Sequence, residues 1–191
     1  PDDEAVARAA EALAAASRPL LIVGKGLRWA QPWGELQALV ERFAVPFVAS
    51  PMGRGSLPDD HPLAFGAVGW AAQAQADVVV VLGARLDWAF RYGAAIARSA
   101  VVIQVDVEAG ELGRNRKAQV AVQADAGRFL TALLAHLEAI GAERRTASRD
   151  PRWLGTLQNM RTRRHEGIEA LGRAAATPIT PHRLAREVRD L

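Results

Sequence analysis

The sequence predicts an α/β fold, a doubly wound and mainly parallel sheet of about six strands with helices on both faces, and three observations lead to it. Two runs, Pro19-Leu20-Leu21-Ile22-Val23 and Val78-Val79-Val80-Val81-Leu82, are apolar throughout, as strands buried on both faces are. Segments of helical periodicity alternate with such runs, which is the pattern of a sheet wrapped by crossover helices. Finally, Gly, Lys, Arg and Asp follow the strand ends rather than interrupting them.

The elements follow in order. Asp2 and Asp3 precede Val6, Ala9, Ala10, Leu13 and Ala14 at helical spacing, so a first helix should run to about Ala16, with acids at its positive end. The first strand ends at Gly24-Lys25-Gly26. Leu36, Leu39, Val40 and Phe43 mark a helix, Pro46-Phe47-Val48-Ala49 a strand, and Trp70 to Ala76 a short helix leading into Asp77 to Leu82. Val101 to Val105 and Ala118 to Gln123 supply further strands, and Phe129, Leu130, Leu133, Leu134 and Leu137 a long helix. After Gly141 the strand signal stops. Arg144 to Asp150 reads as a polar connection, Trp153 to Leu171 as a helix, and Thr177 to Pro181 as a stiff, extended linker. Thr180 should cap a last helix with Pro181 at its first position and Leu184 and Val188 on its inner face. The expected division is a Rossmann-like domain over residues 1–143 and a helical extension over 144–191.

Composition narrows the function classes. With 191 residues, 50% of them apolar and 24% charged, the chain can bury a core of its own. It has no cysteine, so disulfides, thiolate nucleophiles and cysteine zinc sites are excluded, and a reducing cytoplasm is the expected location. No apolar run approaches the roughly 20 residues of a membrane helix, so no membrane partner is expected. The net charge is +3. Arginines crowd the region from Arg144 to Arg164, with Trp153 as the one interleaved aromatic; this reads as a solvated helix rather than a nucleic-acid face. A sequence that opens on Pro1 and starts a helix just before Leu191 is expected to be part of a longer chain.

In an open parallel sheet, ligands bind where loops leave the carboxyl ends of the strands. Lys25 between two glycines suits a phosphate, or else the glycines form a plain tight turn. Trp29 stands where a G-x-G-x-x-G motif needs its last glycine, so the standard dinucleotide fingerprint is absent. Gly83-Ala84-Arg85 places small residues before a planar cation that can meet a phosphate, stack on adenine, or pair with a nearby carboxylate. Asp106 ends a strand, where a carboxylate can take both ribose hydroxyls or cap a helix near Ala109. Asp125 reads as the cap of the helix after it. The four histidines lack metal-ligand spacing, His61 reads as a loop residue, and no serine stands in a nucleophile elbow, so neither catalytic nor metal-binding residues are assigned.

Taken together, Val23-Gly24-Lys25-Gly26, Pro51-Met52-Gly53-Arg54-Gly55, Pro58-Asp59-Asp60-His61-Pro62, Ala76-Asp77-Val78-Val79, Gly83-Ala84-Arg85-Leu86-Asp87-Trp88 and Ile103-Gln104-Val105-Asp106 form an ordered series. It resembles the central domain of thiamine-diphosphate-dependent enzymes, and most of all the 2-hydroxyacyl-CoA lyase and oxalyl-CoA decarboxylase group; acetolactate synthases and benzaldehyde lyase are similar to a lesser degree. The resemblance implies a parent lyase, decarboxylase or synthase acting on 2-hydroxyacyl-CoA or 2-oxo-acid substrates, assembled as a homodimer or homotetramer. Its N-terminal domain would activate the thiamine ring and its C-terminal domain would hold diphosphate and Mg2+, leaving this fragment inactive by itself. For this domain it implies ADP, the ADP moiety of CoA, or FAD, bound through Lys25, Gly83, Ala84, Arg85, Asp106, Val107 and Asp125, with Met52 and Arg54 near the CoA arm. The sequence departs from the group at Asp87, where Asn is usual, and at Gly69, where CoA-dependent members carry an arginine. That second departure leaves room for a purely structural domain; a free-standing NAD-binding module is the third reading, opposed by Trp29.

Overall fold

The computed structural model describes residues 1–145 and 149–191. In chain order the elements are α1 (Asp3–Ala15), β1 (Pro19–Val23), α2 (Leu27–Ala30), α3 (Trp33–Arg42), β2 (Phe47–Ala49), α4 (Gly69–Gln75), β3 (Val78–Leu82), β4 (Val101–Asp106), β5 (Val120–Gln123), α5 (Ala126–Ala139), α6 (Ala142–Arg145), α7 (Trp153–Arg173) and α8 (Pro181–Arg189). Short 3-10 segments cover Gly66–Val68, Trp88–Gly93 and Ala109–Glu111. Residues 146–148, within the expected polar connection, lie outside the described residues.

The strands form one parallel sheet in the order β2-β1-β3-β4-β5. Among the described residues it has five strands rather than about six. The five are the strands the sequence marks individually, and the loop from Pro51 to Ala64 adds only a single bridge between Phe47 and Ala64.

Strand alternation divides the core in two. Leu21, Val23, Val80, Leu82, Ile103 and Val105 face α1, α3 and α5, where Val6, Leu13, Leu39, Phe129, Leu130 and Leu133 are buried against them. Leu20, Ile22, Val79, Val81 and Val102 face the other way, onto Phe65, Ala72, Phe90, Trp153 and Leu157. β1 and β3 are buried at every residue, which is why their sequences are apolar without alternation. β5, at the edge, alternates buried and exposed.

Caps and crossing contacts fix the helices. Asp2 accepts from the Ala5 amide at the start of α1, and Thr180 accepts from the Arg183 amide at the start of α8. The Asp77 carboxylate receives the amides of Ser17 and Arg18, closing the turn before β1. Arg149 donates to the carbonyls of Phe43 and Ala44; burial pulls its pKa down to about 10 against the opposing charge of Asp77. Arg161, on α7, does not project freely into solvent. It lies 4.9 Å from the Phe65 ring centroid and donates to the carbonyls of His61, Pro62 and Ala64.

In α8, Leu184 and Val188 are 55% and 62% exposed, so the apolar stripe is not an inner face. The side that meets α7 instead carries Arg186 and the His182 carbonyl, packed at Gly172.

Candidate functional site

The strand order reverses between β1 and β3, so the loops after these strands diverge and open a crevice at the carboxyl edge of the sheet. Before they diverge, their glycines interlock. The Gly24 amide donates to the Leu82 carbonyl at 3.0 Å, the Gly26 amide to the Gly83 carbonyl at 3.0 Å, and the Gly83 amide to the Val105 carbonyl at 2.9 Å. A Cβ on Gly24 would lie 2.1 Å from the Gly83 oxygen, and one on Gly53 would lie 2.3 Å from the Val23 oxygen. The glycines around Lys25 therefore serve contact between backbones, and Lys25 is held outward at the crest of the turn.

Beyond the interlock lies a cavity of about 200 Å³, lined by Lys25, Met52, Ala84, Arg85, Asp87 and Trp88, among others. Trp88 is 75% exposed at its rim, and Met52 is half exposed. Asp87 caps the following segment, its Oδ1 accepting from the Ala89 amide at 2.9 Å. That segment bends through two consecutive left-handed residues, Arg91 (φ 50°) and Tyr92 (φ 54°), a strained arrangement for side chains with a Cβ. It sets the Arg91 guanidinium over Trp70 at 5.4 Å.

Lys25, Ala84 and Arg85 thus meet in one cavity, with Gly83 behind them. Arg85 also has a carboxylate partner: its Nε lies 3.4 Å from Oε1 of Glu111, which Arg114 approaches at 2.9 Å. The other three sequence-assigned residues sit along the same sheet edge and outside the lining. Asp106 accepts from the Glu108 amide at 3.0 Å, and the 3-10 turn at Ala109 is capped by Glu108 instead. A cap must lie next to the turn it closes, and Asp106 lies three residues before it. Val107 is exposed, and its carbonyl accepts from Gln123 Nε2 at 3.2 Å. Asp125 caps α5, accepting from the amides of Gly127 (2.9 Å) and Arg128 (3.1 Å). Asp125→Ala is expected to cost about 1 kcal/mol, or roughly 2–4 °C in a thermal melt.

His61 is held as a structural loop residue: Nδ1 accepts from the Leu63 amide at 3.1 Å, and Nε2 faces Glu41 at 3.5 Å. Hydrogen bonds from Gln37 and His61 hold the Glu41 carboxyl below its ordinary range. At Gly69, an added Cβ would lie 3.0 Å from Val48 Cγ1, so no larger side chain is accommodated without shifting that valine. Two residues of the site were not singled out in the sequence. Trp88 ends the Gly83-Ala84-Arg85-Leu86-Asp87-Trp88 segment with no functional signal of its own, and nothing in the polar stretch around Glu111 signals that its carboxylate is buried.

Among the described residues no group of three His, Asp or Glu side chains is placed to hold a metal, and no helix is long and apolar enough to cross a membrane.

Residues 6–133 match the family described as thiamine pyrophosphate enzyme, central domain. The chain is 40% identical over 126 residues to 2-hydroxyacyl-CoA lyase 1 of Mus musculus, covering 65% of this chain and 22% of that protein. It is 37% identical over 139 residues to oxalyl-CoA decarboxylase of Escherichia coli K12, covering 72% and 25%. It is 32% identical over 146 residues to a probable acetolactate synthase large subunit of Methanocaldococcus jannaschii, covering 71% and 24%. The matched part spans about a quarter or less of each of these relatives, in line with a central domain flanked by others. Since the family match runs over most of the chain and through every strand of the sheet, the chain belongs to the thiamine pyrophosphate enzyme central-domain family.

Proposed function

We propose that this domain is the nucleotide-binding scaffold of a thiamine-diphosphate-dependent lyase, decarboxylase or synthase acting on 2-hydroxyacyl-CoA or 2-oxo-acid substrates. The observation that carries the proposal is the cavity at the strand-order reversal, where Lys25 and Arg85 offer two cations beside the exposed indole of Trp88. Cations suit a diphosphate, and an indole face suits a planar base. The volume, about 200 Å³, is below the roughly 300–1,000 Å³ of sites that enclose a drug-sized ligand, so the cavity would seat one end of an adenine nucleotide such as ADP, the ADP moiety of CoA, or FAD. On the family likeness, thiamine diphosphate and Mg2+ are assigned to the N- and C-terminal domains of the parent, which would leave this domain without a catalytic step of its own. Thiamine diphosphate supplies the carbanion chemistry where it binds. The parent would be a cytoplasmic homodimer or homotetramer.

The test is a thermal melt of the 191-residue chain with ADP, CoA, FAD, NAD, or thiamine diphosphate plus Mg2+. ADP at a hundredfold excess over its Kd is expected to stabilise the fold by about 2.7 kcal/mol. Arg85→Ala removes charge-assisted bonds worth about 1.5–3 kcal/mol and should erase most of that shift. A domain unmoved by every ligand would be a scaffold alone, the reading that Gly69 favours by standing where CoA-dependent relatives are expected to place an arginine.

A further inference from the structure

Glu111 is the sole buried carboxylate among the described residues, its side chain 8% exposed against 49% for Arg85 and 63% for Arg114. A buried charge is costly unless paired, and this one has two cations on a single oxygen. Its backbone is fixed as well. Gln104 of β4, itself buried, donates Nε2 to the Glu111 carbonyl at 2.8 Å and accepts from the Gly113 amide at 2.8 Å. Asn115 Nδ2 then donates to the Leu86 carbonyl at 2.9 Å, tying this loop to the segment that carries Arg85. One strand amide thus locks the loop that presents the carboxylate, and one loop amide locks it to its target.

Arg85 comes nearest to the carboxylate at Nε, 3.4 Å away, an ion pair rather than a directed hydrogen bond. Its terminal nitrogens take no protein acceptor among the described residues, and they form the outer fork of a planar cation that suits phosphate oxygens. Arg114, the nearer cation, already offsets the charge of Glu111, so the carboxylate orients Arg85 without cancelling it. Resting on the reading of the cavity as an adenine-nucleotide site, we infer that Glu111 is a positioning residue: it holds Arg85 by one edge and presents the other to the diphosphate, and so sets the affinity of the site.

Calorimetric titration of ADP into the full 191-residue chain tests this through a double-mutant cycle. Arg85→Ala is expected to weaken ADP on the order of thirtyfold. Glu111→Gln, which keeps the shape and deletes the charge, is expected to weaken it about fivefold, the scale of a partly exposed pair. In the Arg85→Ala background Glu111→Gln should change nothing further, because its effect runs through Arg85.

An equal loss from Glu111→Gln in both backgrounds would overturn the assignment, since a general structural role predicts it. So would tighter binding by Glu111→Gln, which would make Glu111 a competitor for Arg85. If Glu111→Gln does not fold, Glu111→Asp completes the same cycle, its carboxylate withdrawn by one methylene. A chain that binds no ADP, or binds it equally well after Arg85→Ala, overturns the nucleotide site together with this inference; a site that needs Arg85 and ignores Glu111 overturns this inference alone.

Discussion

Gly24→Ala should destabilise the domain by about 3 kcal/mol or more, a drop of roughly 6–12 °C in melting temperature. The added methyl would lie 2.1 Å from the Gly83 oxygen and 2.4 Å from the Ala84 Cα. Both obstacles are backbone, so no side-chain rotation relieves them, and the two central strands would have to separate at their carboxyl ends. The hydrogen bonds from the Gly24 amide to the Leu82 carbonyl and from the Gly26 amide to the Gly83 carbonyl would be strained with them. Gly167→Ala is the matched control. It stands within α7, where a new Cβ meets nothing within 4 Å, and alanine there should stabilise by about 0.5–1 kcal/mol. Opposite signs for one chemical change would establish the interlock. A loss at Gly24 below about 1 kcal/mol would show that the crevice loops yield, and that Lys25 and Arg85 are not held in a fixed relation.

What the sequence reveals of this molecule follows from what its patterns encode. The strands Pro19–Val23 and Val78–Leu82 are legible because burial on both faces leaves only apolar residues, and the caps at Thr180 and Asp125 because a short polar side chain before a helix has one common use. Periodicity marks which side of a helix is apolar and is silent on what that side meets. Hence Leu184 and Val188 were expected to face inward and are exposed. The glycines around Lys25 were legible as a need for close approach, but a sequence does not say whether ligand or neighbouring backbone does the approaching. Glu111 is invisible because the burial of an acid depends on the folded arrangement of its partners: Arg114 and Gln104 are near in sequence, but Arg85 reaches it only through the pairing of β3 with β4. The left-handed pair Arg91 and Tyr92 was hidden for the complementary reason: neither residue is one that usually adopts that conformation.

Trp153→Ala should cost about 3–5 kcal/mol and release the first half of α7. Of the 21 residues in this helix only Trp153, Leu157 and Gly172 are buried, so its attachment to the sheet is concentrated in the first two turns. The indole packs in the same core cluster as Leu20, Val79 and Val102, and its N–H donates to the Pro19 carbonyl at 3.0 Å. Alanine deletes both the packing and the donor, leaving a buried carbonyl unpaired. Trp153→Phe separates the two contributions: it keeps most of the apolar volume, and a loss of only about 1–3 kcal/mol is expected. Hydrogen exchange over residues 153–173 should rise in the alanine variant and stay near the original in the phenylalanine one. If the helix keeps its protection in Trp153→Ala, then Arg161, through Phe65 and three carbonyls, is its anchor. Pro19 begins β1, so Trp153 acts at the amino edge of the sheet, whereas Lys25 and Arg85 stand at the carboxyl edge. The folded fraction of either variant should therefore bind ADP with unchanged affinity, because this helix anchor and the ligand cavity are located at opposite ends of the same strands.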